Sequence, residues 1–400
     1  MPKITIPLLK DHHNHLSFYA LLIDSPNLQQ VTDKTDALNQ LNGLDKSNVS
    51  VVLGWNSGYY DFTDDELNRL PPVIIVNISL HRFIMSASAE ARLNETYPDV
   101  VANYKDSEWY ENHFPGLLIF LACMVEPTEA KFNRFFNLMA QKGVYHVEDM
   151  LVPNEQVLTF MQESPYADRT ACWTNPDIFN SLRPDARNYV KGIKLFTDGA
   201  LGARTAALSK AYTNGVNGHL LLSDEELFAK MKEAADWHKA VAVHAIGEMA
   251  TAQVVRTVQK LKSQGIDFSE IRMEHCQYID PEIAHQAKRL GIILSMQPNF
   301  NTDSLVYNDR LHPWYLENNN PFRMLIDQVG FIPGKDLIFG SDGMPHGAEY
   351  ALQASLFPPY PSQKLTLDEF VAGYCMPDTS RGSIAVEWDD QTLRSISVYS

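Results

Sequence analysis

Residues 8–15 read LLKDHHNH, an apolar start that ends in two histidines separated by one residue. Four later segments share this pattern of an apolar run that closes on a metal-binding side chain: 193–198 (IKLFTD), 241–244 (VAVH), 271–275 (IRMEH) and 337–342 (LIFGSD). In a (β/α)8 barrel, the carboxyl ends of the parallel strands converge on one mouth, where active sites form. The five segments therefore predict a barrel whose mouth gathers histidines and carboxylates.

Eight strand-like segments fit such a barrel, and helical patterns lie between several of them. The predicted strands are 5–13, 143–150, 169–174, 190–198, 241–246, 271–277, 291–297 and 336–342. The predicted helices include 224–239, 248–264 and 281–290, and Ser223 is the expected cap of the first. We therefore expect an α/β fold, with residues 1–16 and 143–380 forming a (β/α)8 TIM barrel.

Residues 17–142 are much longer than an ordinary connection between two barrel strands. They contain their own strand-like runs at 49–55 and 73–78 and a helical segment at 127–141. Because long insertions at a barrel mouth often carry specificity, we expect 17–142 to be a lid subdomain over the pocket. At the other end, the alternating pattern within residues 381–400 predicts a C-terminal β-hairpin tail.

The charge balance indicates what kind of partner the chain has. Its 400 residues include 33 Lys and Arg against 49 Asp and Glu, a formal net charge of −16, with no basic block. Nucleic acid and anionic membrane surfaces are poor partners for such a chain, so a small-molecule substrate is expected. The start of the sequence lacks a signal-peptide pattern, and no apolar run is long enough to span a bilayer. Four widely spaced cysteines without a CxxC pair fit a cytoplasmic location.

Four histidines are candidate metal ligands. Residues two apart on a strand point to the same side, so His13 and His15 can chelate one metal ion while His12 faces the outer layer. A histidine-rich strand cap is the competing interpretation. His244 and His275 end two further strands, which favours metal binding over four unrelated core histidines.

Lys194 and Asp342 add the remaining reactive groups. Lys194 interrupts an apolar strand, where an ammonium is costly to bury without a partner. It could reach solvent, pair with a carboxylate such as Asp198, form a metal-bridging carbamate, or act as a Schiff-base nucleophile. Asp342 precedes Gly343 and could be a simple turn residue. At a barrel mouth with histidines, it could instead bind metal and accept a proton from bound water.

These residues together resemble the amidohydrolase superfamily, whose signature is HxH on the first strand, lysine on the fourth, histidines on the fifth and sixth, and aspartate on the eighth. Longer blocks resemble its YtcJ-like (amidohydrolase family 3) members. Those blocks are KLFTDGALGARTAAL at 194–208, VHAIG at 243–247, RMEHCQ at 272–277, SMQP at 295–298 and GSD at 340–342.

The resemblance implies a metal-dependent hydrolase that cleaves a carbon–nitrogen bond of a small molecule, in an amide, an N-formyl group or a cyclic amide. The implied ligands of two divalent metal ions, with zinc as the expected metal, are His13, His15, Lys194, His244, His275 and Asp342. Lys194, N6-carboxylated, would bridge the ions. Asp342 would be the catalytic proton shuttle for a hydroxide held between them.

The resemblance also assigns substrate-binding roles to His81, Asp198, Arg204 and Gln297, although Asp198 and Arg204 could simply pair with each other. Most members carry a flanking β-sandwich, which we expect to be absent or reduced here because only ten residues precede Asp11. A homodimer could cover that edge of the barrel.

Three alternative functions stay open. The chain could be a metal-dependent deaminase of a heterocycle, a metal-free lyase that uses Lys194 as a Schiff base, or a non-catalytic small-molecule binding protein. The presence of every candidate ligand argues against the last of these.

Overall fold

The structure is a computed structural model that describes residues 3–78, 80–390 and 392–399. The chain divides into two compact units. The barrel unit comprises Met1–Ser17 and Asn133–Ser400, and the inserted unit comprises Phe18–Phe132. Within the described residues, no helix has both the length and the apolar content that crossing a membrane requires.

The secondary structure alternates between strands and helices over most of the chain. The strands are β1 (Lys3–Pro7), β2 (Leu9–Asn14), β3 (Ser50–Trp55), β4 (Val73–Asn77), β5 (Phe83–Met85), β6 (Val144–Asp149), β7 (Thr170–Thr174), β8 (Val190–Phe196), β9 (Ala240–Ala245), β10 (Ile271–His275), β11 (Ile293–Met296), β12 (Leu337–Phe339), β13 (Ser383–Trp388) and β14 (Leu393–Tyr399).

The α-helices are α1 (Leu16–Leu21), α2 (Lys34–Asn42), α3 (Asp64–Leu67), α4 (Ala87–Leu93), α5 (Pro98–Asn103), α6 (Ser107–Asn112), α7 (Phe114–Cys123), α8 (Glu129–Gln141), α9 (Glu155–Glu163), α10 (Pro176–Ser181), α11 (Asp224–Asp236), α12 (Glu248–Ser263), α13 (Pro281–Leu290), α14 (Asp303–Val306), α15 (Pro313–Asn318), α16 (Ala348–Leu356) and α17 (Leu367–Tyr374). Short 3-10 turns cover Ala167–Arg169, Ala186–Tyr189, Pro298–Thr302 and Pro361–Gln363, and a π-helical turn covers Met324–Val329.

Eight parallel strands form the centre of the barrel unit, in the order β12-β11-β10-β9-β8-β7-β6-β2. The sheet nearly closes at the carboxyl ends of β12 and β2, where the backbone N–H of Asp342 donates to the carbonyl oxygen of His13 over 2.7 Å. Beside this contact, the backbone N–H of Ser341 donates to Asp11 Oδ1 over 2.8 Å. The predicted barrel is therefore present as a nearly closed, eight-stranded parallel barrel.

The prediction of a single first strand over residues 5–13 is wrong. Its beginning belongs to β1, which pairs antiparallel with β13 and places Lys3 opposite Glu387. Only β2 enters the barrel. Pro7, at the end of β1, has no N–H to donate to a central ladder, so β1 fits the edge of a separate sheet. That sheet has the order β1-β13-β14, and β13 and β14 form an antiparallel hairpin within the predicted C-terminal segment.

The helices that pack around the barrel follow local sequence signals. Helix α13 has the bounds that the sequence predicts, whereas α11 ends three residues early, at Asp236, and α12 ends one residue early, at Ser263. Ser223 caps α11 as expected, because its Oγ accepts the backbone N–H of Glu226 while the Glu226 side chain returns to the backbone of Ser223.

The inserted unit has its own small sheet and core. In that sheet β3 pairs parallel with β4, and β4 pairs antiparallel with β5. Trp55 is fully buried, and its indole N–H donates to the carbonyl oxygen of Tyr60 over 3.0 Å. The unit therefore satisfies its largest buried polar side chain internally. Its role as a lid stays a prediction.

A buried ion network crosses the barrel below the strand ends. Glu148 on β6 accepts from Arg272 over 3.0 Å, from the indole N–H of Trp173 over 3.0 Å, and from Lys191 over 3.1 Å. His12 joins this network, with its Nδ1 3.0 Å from Glu148 Oε1. The expectation that His12 faces the outer layer is therefore wrong, because a register shift between β2 and β6 interrupts the regular alternation of side chains.

His146 on β6 makes the fold sensitive to acid. Burial lowers the pKa of His146 to about 4, below the unfolded value of about 6.5. As the pH falls, His146 is therefore protonated in the unfolded chain before it is protonated in the folded one. The stability that this difference in pKa provides is lost as the pH falls from about 6.5 to about 4. We expect His146→Gln to gain unfolding free energy relative to the wild type between pH 7 and pH 5, measured by urea unfolding. The exposed His285→Gln is the control, and equal pH slopes for all three proteins would contradict the prediction.

Candidate metal centre

The carboxyl ends of five barrel strands carry the candidate ligands. His13 lies in β2 and His15 just after it, Lys194 lies in β8, His244 in β9, His275 ends β10, and Asp342 follows β12. Adjacent strands are in register, so that Lys194 lies opposite Ala242, and His244 lies opposite Phe196 on one side and Glu274 on the other. Lys194 thus lies one pleat below His244, on the same face of the sheet.

Three of these residues form a compact group. The ligand atoms of His13, His275 and Asp342 all lie within 4.8 Å of one another. The distance from His13 Nε2 to Asp342 Oδ1 is 3.6 Å, and the ring centroids of His13 and His275 are 4.7 Å apart. Side chains from the first, sixth and eighth barrel strands therefore converge at one point.

His15 and His244 extend this group on opposite sides. His15 Nε2 lies 3.1 Å from Asp342 Oδ1. On the other side, the ring centroid of His244 lies 4.5 Å from that of His275. The four imidazoles and Asp342 therefore form one continuous cluster.

Left-handed backbone conformations occur at two of these strand ends. His275 has a φ of 71° and Asp342 has a φ of 56°. This conformation costs an ordinary L-residue about 1 to 2 kcal/mol, and such residues collect at functional sites. At the end of β10 it interrupts the alternation, so that the adjacent side chains of Glu274 and His275 both contact the His13 ring.

Lys194 is fully enclosed. Its side chain is 1% exposed, and its Nζ has no hydrogen-bond partner among the described residues. Burial lowers the pKa of Lys194 to about 8, although the charges of Glu274 and Asp342 favour the ammonium form. An amine held this way can react as a neutral nucleophile, which is the property that carbamate or Schiff-base formation requires.

Neighbouring acceptors fix the orientation of three imidazoles. His13 Nδ1 lies 2.5 Å from Glu274 Oε2, and His275 Nδ1 lies 2.7 Å from Gln297 Oε1. His244 Nε2 lies 3.1 Å from the carbonyl oxygen of Gly199. When one ring nitrogen donates its hydrogen to such an acceptor, the other carries the lone pair that binds a metal ion.

Burial also keeps these rings in the ligand form. It lowers the pKa values of His13 and His275 well below their ordinary value and lowers that of His244 to about 4. The rings are therefore neutral near pH 7. His13 Nε2 is buried without a hydrogen-bond partner among the described residues. Neutral imidazoles beside a carboxylate, one of them with a buried Nε2 that has no hydrogen-bond partner among the described residues, are suitable ligands for a divalent metal ion.

The four predicted substrate-binding residues lie in different surroundings. His81 belongs to the inserted unit, where its Nδ1 lies 3.1 Å from Glu111 and its ring stacks on Phe114. Gln297 supports His275 directly through the contact described above. The Nε of Arg204 is buried without a hydrogen-bond partner among the described residues.

Asp198 links the loops that follow β8 and β9. It accepts the backbone N–H groups of Ala207 over 3.0 Å, Ile246 over 3.0 Å and Gly247 over 2.8 Å. In the described part of the chain, no ion pair joins Asp198 to Lys194 or Arg204. Burial raises the pKa of Asp198 to about 7, and its Oδ1 lies 3.4 Å from His244 Nε2. Its observed contacts thus hold the loops around His244.

Sequence reasoning missed two carboxylates at the site. Glu274 stands next to His275, and strict alternation would allow only one of the two to face inward. Asp303 follows a 3-10 turn and accepts the side-chain N–H of Gln277 over 3.0 Å. Burial raises the pKa of Asp303 to about 7, and the charge of Asp342 contributes to this rise. For these two carboxylates, the sequence offered one indication of a place at the site: Glu274 is adjacent to the candidate ligand His275.

Similarity to known proteins supports the family assignment. A model of the amidohydrolase family matches residues 3–349 of this chain. The putative amidohydrolase YtcJ of Bacillus subtilis (strain 168) is 36% identical over 137 residues, which are 33% of this chain and 24% of that protein. Protein LONG AFTER FAR-RED 3 of Arabidopsis thaliana is 32% identical over 114 residues, 28% of this chain and 20% of that protein. These matches span less than a quarter of either relative's own length.

Two solved structures share the fold. Both are uncharacterized metal-dependent hydrolases. The one from Pyrococcus horikoshii OT3 has a TM-score of 0.67 and 21% identity, covering 88% of this chain and 74% of that chain. The one from Pyrococcus furiosus has a TM-score of 0.69 and 19% identity, covering 92% of this chain and 80% of that chain. The resemblance that the sequence motifs indicate is confirmed, and because the family model spans every barrel strand and every candidate ligand, this chain belongs to the amidohydrolase family.

Proposed function

We propose that this protein is a metal-dependent hydrolase that cleaves a carbon–nitrogen bond of a small molecule, in an amide, an N-formyl group or a cyclic amide. One observation carries the proposal. Ligand atoms of His13, His275 and Asp342 lie within 4.8 Å of one another, in a chain that belongs to the amidohydrolase family. The fully enclosed Lys194 amine beside them supports it.

The residues that would hold two divalent ions, with zinc as the first choice, are His13, His15, Lys194, His244, His275 and Asp342. A bound metal ion of this kind polarises a carbonyl group and lowers the pKa of water to about 7. We propose that the Lys194 ammonium first loses one proton and that the neutral amine then bonds to the carbon of carbon dioxide to form an N6-carbamate, which releases a second proton. This reaction replaces a buried cation that has no hydrogen-bond partner among the described residues by an anionic ligand.

Asp342 is suited to move a proton during hydrolysis. Burial alone would raise the pKa of Asp342, but His13 and His15 together hold it below the ordinary value of an aspartate. The carboxylate is therefore ionised near pH 7 and can accept a proton from the attacking water. The same proton then passes to the departing nitrogen, which leaves as a neutral amine, and the aspartate returns to its starting form.

A second candidate function comes from Lys194. A buried amine with a pKa of about 8 would also suit a metal-free Schiff-base lyase. Borohydride reduction in the presence of a carbonyl substrate would trap that intermediate as a stable adduct on Lys194, detectable by mass spectrometry. Deamination of a heterocycle would use the same centre as amide hydrolysis and is distinguished by its product, an intact ring in which a carbonyl oxygen replaces the amino group. Non-catalytic binding, a cytoplasmic location and a homodimer stay predictions.

Removing the metal tests the proposal directly. We expect purified protein to contain zinc or a similar divalent ion by elemental mass spectrometry, and dialysis against a chelator to lower turnover of the best amide or N-formyl substrate at least about 100-fold. Adding zinc back with bicarbonate should restore the rate, and carbon-13 bicarbonate should label a carbamate visible by NMR. Full activity in demonstrably metal-free protein would contradict the proposal.

A further inference from the structure

We infer that Glu274 is a positioning residue of the metal centre, which holds the His13 ring so that its Nε2 lone pair faces the His275 and Asp342 ligand atoms. The inference rests on the proposed metal-dependent function. It concerns a residue that carries no role in that proposal.

Strand pairing places the Glu274 side chain inside the barrel. Glu274 lies in register with His244 on β9 and with Ser295 on β11, so its side chain enters the barrel in the same row as a candidate ligand. The side chain is fully buried. Its Oε2 lies 2.5 Å from His13 Nδ1, although the two residues are separated by 261 positions in the sequence. The carboxylate therefore reaches across the barrel from β10 to β2.

This contact determines which nitrogen of His13 is available. A carboxylate oxygen accepts a hydrogen, so the tautomer that satisfies the contact has its hydrogen on Nδ1 and its lone pair on Nε2. The Nε2 atom is buried, has no hydrogen-bond partner among the described residues, and lies 3.6 Å from Asp342 Oδ1. A carboxylate behind a ligating imidazole fixes the ring and raises its basicity, and losing it costs about 10- to 100-fold in metal affinity.

The neighbouring rings have different partners. His275 is oriented by Gln297, a neutral amide, at 2.7 Å. His244 Nε2 lies 3.1 Å from a backbone carbonyl oxygen and 3.4 Å from Asp198. Glu274 thus makes the shortest of these orienting contacts and does so with a charged group.

Glu148 provides a matched control, because its partner His12 is the residue directly before His13. His12 also pairs with a buried glutamate, Glu148, at 3.0 Å. Glu148, however, is shared with Arg272, Lys191 and Trp173 in the ion network below the strand ends. Removing its charge perturbs a buried histidine–glutamate pair without touching the metal ligands.

The test measures metal binding, so it does not depend on finding the substrate. Zinc affinity is measured by competition with a chromophoric chelator, and the visible spectrum of the cobalt-loaded protein reports the ligand field. We expect Glu274→Gln to raise the Kd for zinc about 10- to 100-fold and to change the cobalt spectrum. Glu148→Gln leaves the buried Arg272 without a counter-charge, so it is compared only after circular dichroism shows the native fold. We then expect its Kd for zinc to stay within about threefold of the wild type and its cobalt spectrum to be unchanged. Glu274→Asp, which keeps the charge but shortens the reach, should also weaken binding and serves if the glutamine variant does not fold.

Three outcomes distinguish failure of the inference about Glu274 from failure of the proposed hydrolase function. A folded Glu274→Gln protein with wild-type zinc affinity and cobalt spectrum would overturn the inference while leaving the hydrolase proposal standing. Weakened binding in Glu274→Gln, together with no hydrolysis of any tested amide by the wild type, would support the inference and count against the proposed reaction. A wild-type protein that binds neither zinc nor cobalt would overturn both.

Discussion

Asp342→Asn is expected to lower kcat/KM at least about 10³-fold while leaving the fold intact. Proton transfer by a placed side chain contributes about 10²- to 10⁴-fold to catalysis, and the loss of a charged ligand adds to this cost. Asparagine cannot accept the proton from water. It does tolerate the left-handed backbone that position 342 adopts, with its φ of 56°, so the turn at the end of β12 should be preserved.

The measurement compares kcat/KM of the wild type and the variant on the same substrate, with circular dichroism as the check on folding. Asp336→Asn is a suitable control, because Asp336 precedes the same strand and pairs with Lys288 away from the centre. We expect the control to keep the wild-type rate. Turnover by Asp342→Asn within tenfold of the wild type would remove this residue from the proton transfer.

Arg272→Met is expected to destabilise the barrel unit by about 3 to 5 kcal/mol, the usual cost of leaving one member of a buried ion pair alone. Arg272 is 2% exposed, donates to Glu148 Oε1 over 3.0 Å and to the His12 carbonyl oxygen over 3.2 Å, and its guanidinium lies 4.9 Å from the centre of the Trp173 ring. Despite burial, Arg272 and its neighbours hold the pKa of Glu148 well below the ordinary value. Methionine would fill the space but leave that carboxylate without its main counter-charge.

Urea unfolding followed by tryptophan fluorescence measures the effect, because Trp173 lies within the perturbed network. The control is Arg183→Met, since Arg183 is 66% exposed and its pair with Glu155 is screened by solvent. An exposed pair of this kind contributes about 0 to 1 kcal/mol. Equal losses of stability in the two variants would show that the buried network does not support the barrel in the way its contacts indicate.

The barrel itself was predictable because its strands carry the same local signal. An apolar run that ends in a histidine or aspartate recurs at the carboxyl ends of β8, β9, β10 and β12, and amphipathic helices separate them. The first strand was less predictable. Residues 5–13 look like one extended run, and only the pairing of β1 with β13 shows that Pro7 ends a separate edge strand.

The candidate ligands could be read from the sequence because each lies at or near a strand end, whereas the residues that orient them could not. Glu274 reaches His13 through a barrel closure that no local pattern encodes, and alternation along β10 fails where His275 adopts a positive φ. His12 faces Glu148 because β2 shifts register against β6. Such contacts depend on how distant strands are paired.

The sequence alone determined that parallel strands would end in histidines and carboxylates and that Lys194 would interrupt an apolar strand, since strand patterns and residue types are local properties. It left open whether that lysine is enclosed, which the structure decided. Tertiary structure alone decided which atoms meet, which ring nitrogen of His13 is left for a metal, and which carboxylates lie behind the ligands. The physical reason is that hydrogen bonds and burial across a barrel are set by the register of strands far apart in the chain, and a shift of a single residue would turn those side chains to the other face.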